Sequence, residues 1–271
     1  MTRLSVTVIT LNEQRNIRRC LESVRGLADE IVVVDSGSTD GTRAIVEELD
    51  GRFVHNDWPG HKQQKNVAVD HATGDWILSL DADEWIGEAT AAEIRGIVQR
   101  GGDGADGWAI NRCTLFLGQF VRCWQPDWNI RLFRKGRARW GGVNPHDSVV
   151  MGPGAALRRL RAPFYHDSYQ SLEQYVNRLN AYTTIAARAM RGEGRRFQVR
   201  KLLFSPPAIF LKMYILKAGY RDGVRGVVLS ASSAFYVLMK YAKLWWLEQG
   251  GCAAEPPPSE HAGRAPNAVD A

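Results

Sequence analysis

The chain of 271 residues predicts an open α/β fold, a mostly parallel sheet flanked by helices, with a helical extension toward the C-terminus. Two observations predict it. Strand-like and helix-like patterns alternate through the first hundred residues, as the right-handed crossovers of a parallel sheet require. Polar residues then gather where each apolar run stops, and the carboxyl ends of strands are where open α/β sheets bind ligands.

The first apolar run, Leu4-Ser5-Val6-Thr7-Val8-Ile9-Thr10, is β-branched and ends at Leu11-Asn12-Glu13. Ile17, Cys20, Leu21 and Val24 follow at i, i+3, i+4 and i+7, the spacing of a helix with one apolar face. Ile31-Val32-Val33-Val34 is continuous and apolar, as a strand buried on both faces should be. It ends in the turn-rich loop Asp35-Ser36-Gly37-Ser38-Thr39-Asp40-Gly41, ahead of a helix over 42–49. Phe53-Val54 predicts a short third strand. A helix over 61–71 would bring Lys65 and Asn66 toward Asp35. The run Asp75-Trp76-Ile77-Leu78-Ser79-Leu80 then delivers two carboxylates, Asp81-Ala82-Asp83, at a strand end. Hard oxygen ligands there suit Mg²⁺ or Mn²⁺. The triplet alone is common in surface loops; its weight comes from what precedes it.

Composition agrees. A chain this long, 45% hydrophobic, can build one large α/β domain with an appendage. Its net charge of +6 favours anionic partners such as nucleotide diphosphates, acidic glycolipids or phospholipid headgroups. Nucleic acid is disfavoured, because no known nucleic-acid-binding motif occurs in the sequence. Cys20, Cys113, Cys123 and Cys252 show no Cys-x-x-Cys spacing and read as reduced thiols of a cytosolic protein. Met1-Thr2-Arg3 runs directly into a strand, with no leader pattern between.

No stretch passes cleanly as a transmembrane helix. The run 202–216 is broken by Pro206-Pro207 and Lys212, and 226–239 is too short before Lys240. The latter continues as Tyr241-Ala242-Lys243-Leu244-Trp245-Trp246-Leu247, where lysines beside tryptophans suit a helix at a membrane interface. Packing onto the catalytic domain, or onto a second copy in a homo-oligomer, is the competing reading. Arg191, Arg195, Arg196, Arg200 and Lys201 add weight to an anionic membrane surface. From 250 onward the Pro-, Ala- and Gly-rich tail reads as disordered.

Four segments in order, Val8-Ile9-Thr10-Leu11-Asn12-Glu13, Val33-Val34-Asp35-Ser36-Gly37-Ser38-Thr39-Asp40-Gly41-Thr42, Gln64-Lys65-Asn66 and Asp81-Ala82-Asp83-Glu84, resemble the family 2 glycosyltransferases of the GT-A fold. Further on, Trp128-Asn129-Ile130-Arg131-Leu132-Phe133-Arg134, Trp140-Gly141-Gly142, Pro145-His146-Asp147, Tyr165-His166-Asp167-Ser168-Tyr169 and 214–226 resemble bacterial lipopolysaccharide core glycosyltransferases of the β-1,4-glucosyltransferase type. Together the likeness spans 3–247, and it implies a GT-A domain over 1–200, a helical membrane-proximal extension over 201–249 and a tail over 250–271.

The resemblance also implies roles. Asp35 would hydrogen-bond the donor nucleobase, with Leu11, Asn12 and Glu13 lining that end of the crevice. Lys65 would lie near the nucleotide and reach phosphate. Asp81 would meet ribose or metal-bound water, and Asp83 would contact Mg²⁺ or Mn²⁺ directly. His166 would complete the metal shell; a histidine bonded to backbone is the alternative there and at His146. The catalytic base of an inverting enzyme would be Asp147, where relatives often carry Glu after His, with Asp127 as competitor. Arg131 would contact phosphate or acceptor, or form a structural ion pair. Trp124, Trp128 and Trp140 would stack on sugar rings or fill the core.

The implied reaction is hexosyl transfer, glucose from a UDP-sugar, to a lipid-linked lipopolysaccharide or lipooligosaccharide core at the cytoplasmic face of the inner membrane. Another sugar-nucleotide-dependent transferase, acting on a different glycan or lipid carrier, is an alternative. A nucleotidyltransferase would need a Gly-rich, Lys/Arg-bearing loop after the first strand, which Thr10-Leu11-Asn12-Glu13 lacks. A non-catalytic sugar-nucleotide binding protein would have no use for an acceptor-side Asp147. Processive synthases need a Gln-x-x-Arg-Trp segment, which is missing.

Overall fold

The computed structural model describes residues 2–143, 146–169 and 171–251. The tail from 252 on lies outside the described residues, as do the side chains of Val143 and His146. In chain order the elements begin β1 (Leu4–Thr10), α1 (Ile17–Arg25), β2 (Glu30–Asp35), α2 (Thr42–Glu48), β3 (Arg52–His55), α3 (His61–His71) and β4 (Trp76–Asp81). After these come β5 (Glu84–Ile86), α4 (Glu88–Gln99), β6 (Gly107–Phe116), β7 (Gln119–Phe120), β8 (Trp128–Arg134), β9 (Ala138–Val143), β10 (His146–Met151), β11 (Leu157–Arg159) and β12 (Phe164–Tyr169). Three helices close the described chain: α5 (Leu172–Gly192), α6 (Val199–Leu211) and α7 (Gly223–Glu248).

Two compact units result. Of the described residues, the first holds those within 2–114 and 126–167, and the second those within 115–125 and 168–251. The first unit is built on a sheet of order β3-β2-β1-β4-β8-β6-β12-β5. Strands β3, β2, β1 and β4 run parallel; β8 runs antiparallel to β4, and β6, antiparallel to β8, runs in the direction of β4 again. After β1 the chain winds outward to β2 and β3, then crosses back to lay β4 on β1's other side. That reversal is the switch point where the crevice of an open α/β sheet forms.

Strand periodicity sorts the core into two layers. Leu4, Val6 and Val8 face Ile17, Leu21 and Val24 of α1, Val46 of α2 and Ile94 of α4. On the other face Ile9, Val32 and Val34 meet Ala68 of α3. Further along that face, Ile77 and Phe133 pack with Val69, Trp140 and Val149. The hairpin of β9 and β10 therefore covers the sheet with α3, a role its sequence does not announce.

The second unit has its own core, in which Phe116, Trp124 and Tyr169 join Tyr175 and Leu179 of α5 and Leu229, Tyr236 and Leu244 of α7. The long helix α5 belongs to this core, whereas the sequence leaves it in the larger domain. Helix α6 also departs from expectation. Pro206 and Pro207 do not break it; it runs on to Leu211 and passes into a π-helical turn over Lys212–Leu216. Lost backbone bonds at a proline are tolerated where packing holds the helix, and α6 lies along α7. The bend before α7 is tight. A Cβ on Gly226 would lie 1.7 Å from the carbonyl oxygen of Gly219, so only glycine fits there.

Candidate active site

Register places the acids. Thr10 of β1 is level with Asp35 on β2, and Ile9 is level with Asp81 on β4. Three strand ends thus converge at the switch point. On the nucleobase side the loops lock one another. Asn12, at φ 55°, accepts from Thr39 N (2.9 Å) through Oδ1, while its own N–H donates to Ser38 Oγ (2.7 Å). Asparagine tolerates this left-handed conformation better than most residues. The N–H of Glu13 donates to Thr42 Oγ1 at 2.9 Å. Asp35, almost fully buried, accepts from Gly37 N and Ser38 N at 2.8 Å each and from Ser38 Oγ. Its carboxylate therefore caps the loop. With about four lone-pair sites on a carboxylate, roughly one acceptor position is left over. Leu11 is half-buried beside this loop.

Lys65 is aimed elsewhere than its sequence neighbourhood suggests. Its Nζ lies 3.0 Å from Asp81 Oδ1 and 3.0 Å from Asp147 Oδ2, and 4.1 Å from the centre of the Trp140 ring. Gln64 is the α3 residue that reaches the β2 loop, donating through Nε2 to Ser36 Oγ at 2.9 Å. Asn66 pairs with the backbone of Trp140 in both directions, at 2.9 and 3.1 Å. Helix α3 thereby fixes β9, and with it the hairpin that carries Asp147.

A second cation joins Asp81. Arg131 Nη2 lies 3.3 Å from Asp81 Oδ2 and bonds Glu84 Oε1, while Glu84 Oε2 accepts from Asp81 N at 3.0 Å. Glu84 is 0% exposed, and sequence reasoning gave it no role. The signal was a third acid three residues after Asp81, close enough for a turn to fold it back. Burial opposes charge on Asp81, but Lys65 and Arg131 together outweigh it and hold this carboxyl well below the usual range. Glu84 goes the other way: burial pushes it up against the pull of Arg131. Burial also opposes the Arg131 charge, and Glu84 and Asp81 overcome it and raise its pKa. The Nε and Nη1 of this buried guanidinium have no hydrogen-bond partner among the described residues. Trp140 and Phe164 rings lie 5.3 Å from it on either count.

Asp83 and His166 meet across β5 and β12, with Nε2 3.1 Å from Asp83 Oδ2. The two candidates for the base have different surroundings. Asp127 is buried against Arg112, whose Nε donates to its Oδ2 at 2.8 Å, and Asn129 Nδ2 donates to its Oδ1 at 3.1 Å. Asp147 is buried beside Lys65 in an ion pair, and among the described residues its Oδ2 has no aligned hydrogen-bond donor. Among the tryptophans, Trp140 is core under the two cations, Trp124 lies in the second unit's core, and Trp128 is half-buried with Arg159 4.7 Å from its ring.

Carboxylates thus gather at the switch point, braced by two buried cations. The family description Glycosyl transferase family 2 matches residues 5–159. The chain belongs to glycosyl transferase family 2. Its sheet and flanking helices are those of the GT-A fold. It is 30% identical over 253 residues to LpsC of Rhizobium meliloti, a lipopolysaccharide core biosynthesis glycosyltransferase, covering 89% of this chain and 92% of that one. An uncharacterised glycosyltransferase of Rickettsia typhi is 31% identical over 254 residues, covering 90% of this chain and 87% of the other. Among solved structures, S. aureus TarS 1–349 in complex with UDP-GlcNAc shares 17% identity over 92% of each chain, at a TM-score of 0.49.

Proposed function

We propose that this family 2 glycosyltransferase moves glucose from UDP-glucose, with inversion, to the lipid-linked core oligosaccharide of a lipopolysaccharide or lipooligosaccharide. It works as a peripheral protein on the cytoplasmic face of the inner membrane. The part of the Rhizobium relative in lipopolysaccharide core biosynthesis supports the acceptor class. One observation carries the donor reading: Asp35, Asp81 and Asp83, with Lys65 and Arg131 held on Asp81, come together at the strand ends of the switch point, where the crevice of an open α/β sheet takes a nucleotide.

The donor set also fits a divalent cation. Among the described residues no group of three or more protein ligands gathers, but a carboxylate and an imidazole do, at Asp83 and His166. Mg²⁺ commonly takes one or two protein ligands and fills its shell with water and substrate phosphate. Asp83 and His166 would hold Mg²⁺ or Mn²⁺, with the Asp81 charge beside them. Bound there, the cation would neutralise diphosphate charge as the leaving group departs.

The chain's own residues do the rest. Asp35 offers its remaining acceptor position to the uracil imide, held still by the loop it caps, and Leu11, Asn12 and Glu13 wall that end. Glu84 orients Arg131. Lys65 orients Asp147, which takes the proton of the acceptor hydroxyl as that oxygen bonds the anomeric carbon. The bond from that carbon to the diphosphate oxygen breaks, and its electron pair leaves with UDP. Asp127, pinned by Arg112, positions the β8 end and takes no proton. A panel of nucleotide sugars assayed for metal-dependent donor hydrolysis tests this reading. UDP-glucose should lead; turnover of a nucleoside triphosphate with pyrophosphate release would overturn it.

A further inference from the structure

Helix α7 is apolar on two opposite faces. One face carries Leu229, Tyr236, Val237 and Leu244 into the second unit's core. The other leaves Val224, Val227, Ala231, Phe235, Leu238 and Trp245 exposed, Val224 at 80% and Phe235 at 48%. At 3.6 residues per turn these positions fall within about 80° of one another, one stripe roughly 32 Å long. A helix covering a soluble core sets charge opposite its buried face. Here no charged residue occurs between Arg225 and Lys240. Arg225 itself is turned onto the carbonyls of Phe116 and Leu117, and Lys243 onto Asn180, Thr183 and Thr184. An uncovered apolar stripe of this length marks an interaction surface.

Charge identifies what covers it. Residues 195–248 hold ten lysines and arginines against two acids, Asp222 and Glu248. Both acids face inward: Asp222 accepts from the N–H groups of Arg122 and Cys123, and Glu248 from that of Phe197. The segment that carries the stripe is therefore strongly positive, with Arg221 exposed just before it and Lys240 on the same helix. A second copy would bring like charge against like. An anionic bilayer complements both the charge and the apolar face. No single described helix is long and apolar enough to cross a membrane; only the bent pair 199–216 with 219–248, turned by 70°, passes by length and composition. With half its circumference committed to a protein core, α7 has one face to give.

We propose that α7 lies in the plane of the membrane interface, with the stripe from Val224 to Trp245 in contact with acyl chains and the basic residues of that segment on anionic headgroups. This rests on the membrane-surface reading above and names the residues that make the contact. The test is flotation of the full-length protein with vesicles of phosphatidylcholine alone and of equal parts phosphatidylcholine and phosphatidylglycerol. The wild type should bind the mixed vesicles. F235E combined with L238E should weaken that binding roughly tenfold or more, the loss expected when two apolar contacts become charged. L157E, an exposed apolar site in the first unit, should change nothing. UDP binding by calorimetry reads the catalytic proposal separately, and the double variant should retain it. As a second measure, F235C carrying an environment-sensitive dye should shift to the blue on mixed vesicles. Undiminished binding of the double variant, an unshifted dye, or a wild-type dimer that the double variant dissociates without loss of vesicle binding would each overturn the proposal.

Discussion

Asp147 and Asp127 are both buried aspartates, yet their partners differ, and the proposed reading gives them different work. Asp147→Asn should leave UDP binding intact and lower the transfer rate ~10²–10⁴-fold, the usual worth of a positioned base, as read by steady-state kinetics. Asp127→Ala should act on stability instead. It strands the Arg112 guanidinium in a buried site, which costs about 3–5 kcal/mol and is read as a lower thermal midpoint. If the two variants exchange these signatures, the assignment of the base is wrong. The positions of Asp35, Asp81 and Asp83 at strand ends, and of Lys65 on a helix over 61–71, were legible beforehand. Glu84 and Arg112 were not, because their roles come from partners 47 and 15 residues away, Arg131 and Asp127. Nor did the sequence show that Lys65 would choose Asp81 and Asp147. That follows from the β9 hairpin folding over α3, a tertiary event.

At the level of elements, periodicity carried well in the first hundred residues. The helix expected over 61–71 is α3, and the apolar runs became β1, β2 and β4. It carried poorly where packing overrides local preference. Helix α6 continues through Pro206-Pro207, where the sequence expects a break. The bend between α6 and α7 depends on close backbone approach at Gly219 and Gly226, with Ser230 Oγ donating to the Gly226 carbonyl at 2.7 Å. Gly226→Ala would force that approach apart. We expect a loss of about 1–3 kcal/mol, the range for overpacking, measured by denaturant unfolding. An unchanged midpoint would mean the bend is slack.

For the whole molecule, acid lability follows from the carboxylates that hold the first unit together. Burial opposes charge on Glu30, but bonds from Ser5 and Thr73 outweigh it, and Asp40 is held low in the same way by Thr42 and Gln14. Both are depressed in the folded state, so their contribution is present above the unfolded values near ~4 and is lost as pH falls through the folded ones. Thermal midpoints should therefore drop as pH is lowered below about 4, and Glu30→Gln should flatten that drop. The fold class and the crevice were readable because the alternation of strands and helices and the polar strand ends are written locally. The division at 114 and 167 was not, since it depends on which residues α5 and α7 bury.

The direct trial of the account is calorimetric titration of UDP into the wild type and Asp83→Asn, with Mn²⁺ and with chelator. Binding by the wild type that needs the cation, and is lost in the variant, is the predicted result. Equal affinity in all four titrations would place the nucleotide away from Asp83 and contradict it.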